Sequence, residues 1–214
     1  MEDLINEEFT DEFSILAEEE IRDGKKQICF RGILSEADKV NRNLRVYPKR
    51  VLREACLSAI EAAKQSGQPV FGELEHASDP KVHLERIAVT FPELTWNEEA
   101  GRLEGKAIPT LTEAGRTVEG LAKSGFKICF STRCSGKVKP YNGPLLTEDV
   151  RARSKGRPVV EVCPGLKIIS IDVVGQPSCV KAVADTVYES YDPETSAGGK
   201  ALSKTFKEIF DAEF

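Results

Sequence analysis

Apolar residues recur along this chain with two different periods, and the switches between them mark its elements. Residues 26–34, KQICFRGIL, are rich in β-branched and apolar side chains and predict a strand. Residues 49–65 instead place Val51, Leu52, Ala55, Cys56, Ala59 and Ile60 at helical spacing, behind a Pro48 suited to opening a helix. SGQP ends that helix. The runs 84–91 (LERIAVTF) and 101–109 (GRLEGKAIP) read as a strand pair joined by a polar connection. Residues 110–125 predict a second helix, with Thr110 or Thr112 as N-cap and Gly125 as its stop. FKICFSTRCSG is a strand running into a turn, and residues 158–178 hold two short strands separated by Pro164-Gly165.

The two ends differ from this middle. Residues 1–20 carry nine acids, with Ile5, Phe9, Phe13 and Leu16 three or four apart. That spacing predicts an amphipathic helix on an acidic body, either an ordinary surface helix or a docking or removable segment. Residues 190–199 have linker composition, and Leu202, Phe206, Ile209 and Phe210 repeat the amphipathic theme. The division expected is an acidic N-terminal segment (1–23), a central domain (24–189) and a linker with an amphipathic tail (190–214). No internal repeat interrupts it. The class is α+β: a β-rich core, two or three helices, and helical tails.

Composition narrows the partners. The chain has 214 residues, 40% of them hydrophobic, which suffices for one well-filled core. Lys and Arg number 30 against 35 acids, a net charge of −5, which argues against direct nucleic-acid binding. No apolar run approaches the ~20 residues of a membrane span, and no secretory signal pattern opens the chain. Six cysteines at irregular spacing, without a Cys-x-x-Cys pair, fit neither a zinc knuckle nor a disulfide scaffold. Cys29, Cys129 and Cys163 read as buried thiols.

Candidate chemistry concentrates in three places. FGELEHASDPKVH (71–83) holds both histidines, His76 and His83, among Glu73, Glu75 and Asp79. Zinc ligation is chemically open to this set, but a gap of seven residues containing Pro80 is no helical face. ICFSTRCSG offers Ser131, Thr132, Cys134 and Ser135 where an apolar strand leaves for a turn: an exposed nucleophile, or mere turn formers. In IISIDVVGQPS, Asp172 interrupts an apolar run and either faces solvent beside Ser170 or orients a histidine. The residues alone allow His76 as base, Ser131 as nucleophile and Asp172 as orienter, and leave other assignments open.

Four blocks occur in one order: VNRNLRVYPKRVL (40–52), FGELEH (71–76), FSTRCSG (130–136) and IDVVGQPS (171–178). Together they resemble the prohead core proteases of myovirus-type tailed bacteriophages, over roughly residues 28–180. The resemblance implies a β-barrel wrapped by helices, like that of the herpesvirus assemblins. It implies Ser131 as nucleophile, His76 as general base and Asp172 as the acid orienting it, where assemblins use a second histidine. His83 is the alternative third member. Arg133 and Cys134 are expected in the oxyanion or substrate region. Thr132 replaces the family's second serine, Cys134-Ser135-Gly136 replaces a G-x-G turn, and Ala77 replaces a proline.

The activity implied is a serine endopeptidase without metal or other cofactor. It would cleave phage scaffold, core and capsid proteins after glutamate, in the prohead within the host cytoplasm. Ile5-Asn6-Glu7 and Leu16-Ala17-Glu18 fit the small-or-aliphatic-x-Glu pattern, so self-processing is expected. Self-association is left open. Two other readings compete: a non-catalytic head-assembly protein of the same fold, and a metal-dependent hydrolase using His76 and His83.

Overall fold

Strand pairing governs the architecture, and the N-terminal segment shows it first. The computed structural model describes residues 3–8, 16–22, 25–41, 43–144, 150, 152 and 154–174. Residues Asp3–Glu8 (β1) and Leu16–Arg22 (β2) are strands, not the amphipathic helix that their spacing predicts. Each borders another strand: β1 runs antiparallel to Cys129–Gly136 and β2 antiparallel to Lys25–Glu36. An open sheet edge offers a full row of backbone partners, and that outweighs a modest helical preference.

The elements that follow are β3 (Lys25–Glu36), β4 (Arg45–Val46), α1 (Lys49–Ser66), β5 (Val70–Glu73), a 3-10 turn at Leu84–Arg86, β6 (Ile87–Asn97) and β7 (Arg102–Pro109). Then come α2 (Glu113–Lys123), β8 (Cys129–Gly136), β9 (Val138–Pro140), β10 (Val160–Val162) and β11 (Lys167–Val174). Both helices lie where the 3.6-residue period predicts them. Thr112, not Thr110, caps α2, its hydroxyl accepting the Gly115 N–H at 3.1 Å. After α1, Gly67 takes a left-handed φ of 68°, a conformation glycine adopts without steric cost.

Among the described residues three sheets form, in the orders β2-β3-β7-β6-β5, β1-β8-β11 and β4-β10-β9. The barrel implied by the resemblance is therefore not one closed sheet among the described residues. A parallel bridge, Leu74 to Val173, joins the first two sheets, with the Glu75 N–H donating to the Val173 carbonyl at 2.7 Å. The main core lies between these sheets and the helices. Val51, Leu52, Ala55 and Cys56 of α1 and Val118 and Ala122 of α2 pack there against strand residues. Phe130 meets Phe30 and Phe91 edge-on, ring centres 6.0 and 5.7 Å apart.

Cys29 and Cys129 are buried as expected, whereas Cys163 is only half-buried. Burial pushes the Cys56 thiol up to about 12, against a weak lowering by its contact with Ser35, so it stays protonated at neutral pH. No helix among the described residues is long and apolar enough to cross a membrane. The expected linker and amphipathic tail at 190–214 lie outside the described residues.

Candidate active site

Side chains alternate across a strand, and on β8 that alternation separates core from chemistry. Phe130 and Cys134 point into the main core, so Ser131 and Arg133 emerge on the opposite face. On β11, Ile171 and Val173 enter the core, which leaves Ser170 and Asp172 on the other side. The antiparallel register sets Asp172 opposite Ser131, and a bulge between Ile168 and Ser170 brings Ser170 opposite Arg133. Four polar side chains from two strands thus form one buried patch.

His76 reaches this patch from the end of β5. That strand passes so close to β11 that a Cβ on Gly72 would lie 1.9 Å from the Ile171 carbonyl oxygen and 2.9 Å from Val89 Cγ2. Glycine alone permits the approach. Glu75 then turns the chain with a φ of 62°, a strained value for a residue with a side chain. The His76 ring follows, with Nδ1 2.8 Å from Asp172 Oδ2 and Nε2 2.7 Å from Ser131 Oγ. With its proton on Nδ1, the ring donates to the carboxylate and accepts from the serine hydroxyl. Asp172 Oδ1 accepts the Glu73 backbone N–H at 2.9 Å, so both carboxylate oxygens are held. Such a set can take a proton from a hydroxyl and stabilise the imidazolium that forms.

Arg133 was expected in the oxyanion or substrate region, yet its side chain is wholly buried and committed elsewhere. Nη2 donates to Glu73 Oε1 at 2.7 Å and Nε to Ser170 Oγ at 3.0 Å, with Asp172 Oδ2 3.2 Å from Nε. Nη1 reaches the carbonyls of Asp79 and Lys81, each at 3.4 Å. A buried guanidinium requires carboxylates and carbonyls around it, which is what draws it inward. Cys134 likewise departs from that expectation, since its side chain belongs to the core.

His83 lies outside this triad of contacts. Its Nδ1 is 3.5 Å from Glu73 Oε2 and its Nε2 3.7 Å from Asp79 Oδ2. Neither His83 Nδ1 nor Glu73 Oε2 has a hydrogen-bond partner. The two histidines therefore address different carboxylates. Among the described residues, no three His, Cys, Asp or Glu side chains are grouped as a metal ion needs.

Sequence reasoning gave no role to Glu73, which joins the patch, and set Ser170 beside Asp172 only on a solvent-facing side, whereas both serine and aspartate are buried. Glu73 and Glu75, two acids of the same short stretch, part company in the fold: Glu73 is fully buried and Glu75 is exposed. The available signal was Glu73 itself, one position past the glycine of a short apolar strand, where a charge is costly unless paired.

Comparison with known proteins agrees with the resemblance drawn from the four blocks. The family model for prohead core protein serine proteases matches residues 8–190. Among solved structures, the capsid assembly protease gp21 of bacteriophage T4 superposes with a TM-score of 0.64 at 22% identity. The match covers 81% of this chain and 98% of that one, a likeness of fold. No curated protein matches the chain.

Proposed function

Because the chain belongs to the family of prohead core protein serine proteases, we propose that it is a serine endopeptidase that cleaves scaffold and capsid proteins after glutamate inside the phage prohead. The observation that carries this reading is the His76 ring, 2.7 Å from Ser131 Oγ on one side and 2.8 Å from Asp172 Oδ2 on the other. Ser131 Oγ attacks the peptide carbonyl as His76 Nε2 takes its proton. The C–N bond breaks, and the imidazolium returns that proton to the leaving amine. Water then enters by the same base and releases the acyl chain from Ser131. Asp172 holds the ring in the Nδ1–H tautomer and offsets the imidazolium charge throughout. Cys134 is no rival nucleophile in this reading, because its sulfur faces the core.

Self-processing is part of the proposal, and the register of β1 supports it. Ile5 pairs with Cys134, Asn6 with Arg133, Glu7 with Thr132 and Glu8 with Ser131. The Glu7–Glu8 peptide of Ile5-Asn6-Glu7 thus runs beside the serine as a strand added to β8, the way many proteases and peptide-binding domains hold extended peptides. Residues 1–23 then act as a pro-segment, and cleavage after Glu7 frees the β8 edge for a second strand.

The decisive experiment pairs wild type with Ser131→Ala on the phage scaffold protein. Wild type is expected to cut after glutamate and to lose its own N-terminal residues, both read by mass spectrometry. Ser131→Ala is expected to do neither while keeping its fold. An active Ser131→Ala with an inactive Cys134→Ala sinks the assignment of the nucleophile. Cleavage unaffected by a strong chelator is expected, and its loss points to the metal-dependent reading instead.

A further inference from the structure

Two carboxylates and one guanidinium are sealed together behind His76. Asp172, Glu73 and Arg133 are each completely buried. With neutral imidazoles these three carry one net negative charge. Arg133 divides itself between the acids: Nη2 bonds Glu73 Oε1 at 2.7 Å, whereas Nε shares itself between Ser170 Oγ at 3.0 Å and Asp172 Oδ2 at 3.2 Å. Were Glu73 absent, the whole guanidinium charge would face Asp172 and cancel the charge that the imidazolium needs. The other groups facing Glu73 are the His83 backbone N–H at 3.0 Å, the His83 ring at 3.5 Å and Arg86 Nε at 4.0 Å. Arg86 is part-exposed and hydrogen-bonded to the carbonyls of Leu74 and Glu75, so solvent screens it.

We infer that Glu73 and Arg133 are a positioning pair: Arg133 anchors the Asp172 carboxylate and the 79–81 loop, and Glu73 neutralises Arg133 so that Asp172 keeps its charge for His76. The buried set then carries one negative charge with His76 neutral and none once His76 holds the serine proton. Charge balance is reached in the transition state, where it accelerates the reaction, and not in the ground state. The inference rests on the Ser131–His76–Asp172 reading but concerns groups that never touch substrate.

Its test is a charge cycle read on His76 alone. The chain has two histidines, so a His83→Ala background leaves one imidazole to follow by NMR titration. In Glu73→Gln the His76 midpoint is expected to fall by about one pH unit, and in Arg133→Gln to rise by a similar amount. The double variant restores one negative charge and is expected to return close to the parent. Loosened packing would instead move both single variants in the same direction. A Glu73→Gln midpoint that is unchanged or raised overturns the inference, as does a double variant that fails to return. If Arg133→Gln does not fold, Glu73→Gln and the double variant still decide. In turnover, Glu73→Gln should lower kcat with KM nearly constant. An active Ser131→Ala would strike the underlying catalytic reading, while the NMR cycle still reports on the charge pair, so the two failures are distinguishable.

Discussion

The two histidines of one thirteen-residue stretch each face a carboxylate, and the two pairs are built differently. His76 meets Asp172 at 2.8 Å with its other nitrogen on Ser131, and the second Asp172 oxygen is fixed by the Glu73 N–H. His83 stands 3.5 Å from Glu73 Oε2, leaving both atoms unsatisfied, and its ring is the more exposed of the two. Each pairs an imidazole with a buried carboxylate, an aspartate in one and a glutamate in the other. What differs is the platform: Asp172 sits on β11 in register with the serine strand, whereas Glu73 spends its Oε1 on Arg133 and on a loop N–H. In the proposed mechanism, imidazole and carboxylate work as a pair only when the carboxylate is held from behind and the ring has a substrate-side partner.

The comparison breaks most completely at the first pair. Ser131→Ala or His76→Ala should lower kcat for scaffold cleavage by about 10^4-fold or more, and Asp172→Asn by roughly 10^4-fold through the wrong tautomer. Residual activity within tenfold of wild type in Asp172→Asn would remove the aspartate from the mechanism.

Next in size is the strand crossing that brings β5 onto β11. Gly72→Ala must displace the Ile171 carbonyl from a 1.9 Å overlap, and it should cost about 3 kcal/mol of stability and most of the activity. A melting curve matching wild type would show that the crossing relaxes freely. Glu75→Val puts a β-branched residue at a φ of 62° and should cost about 1–2 kcal/mol, a few degrees in melting temperature. The smallest effect belongs to the second pair: His83→Ala should keep kcat/KM within a few-fold of wild type. An inactive but folded His83→Ala would reverse the ranking of the two histidines.

Much of this site is legible in the sequence. Period-two alternation puts Ser131 with Arg133, and Asp172 with Ser170, on the faces opposite Phe130 and Ile171. The block around His76 stands out as the one place where both histidines and several acids gather. The destination of Arg133 was not legible. A charged side chain following a candidate nucleophile suggests a role toward substrate, and nothing local reveals that Glu73, sixty positions away, will be buried to receive it. The N-terminal helix fails for a related reason. Residues 1–20 carry a helical spacing of apolar positions at Ile5, Phe9, Phe13 and Leu16, but the edge of β8 determines what residues 3–8 become.

The sequence by itself determined the two helices, the strands that carry the chemistry, which face of β8 and β11 is polar, and the family. The elements and faces follow from local periodicity, and the family from the resemblance of four blocks in one order. Only the tertiary structure decided the register that sets Asp172 opposite Ser131, the glycine crossing that brings His76 above them, and the burial of Glu73 with Arg133. The physical reason is that register and charge pairing are contracts between segments far apart in the chain: His76 and Ser131 are 55 residues apart, Glu73 and Asp172 99. Their energies exist only once backbone pairing and desolvation have brought the partners together.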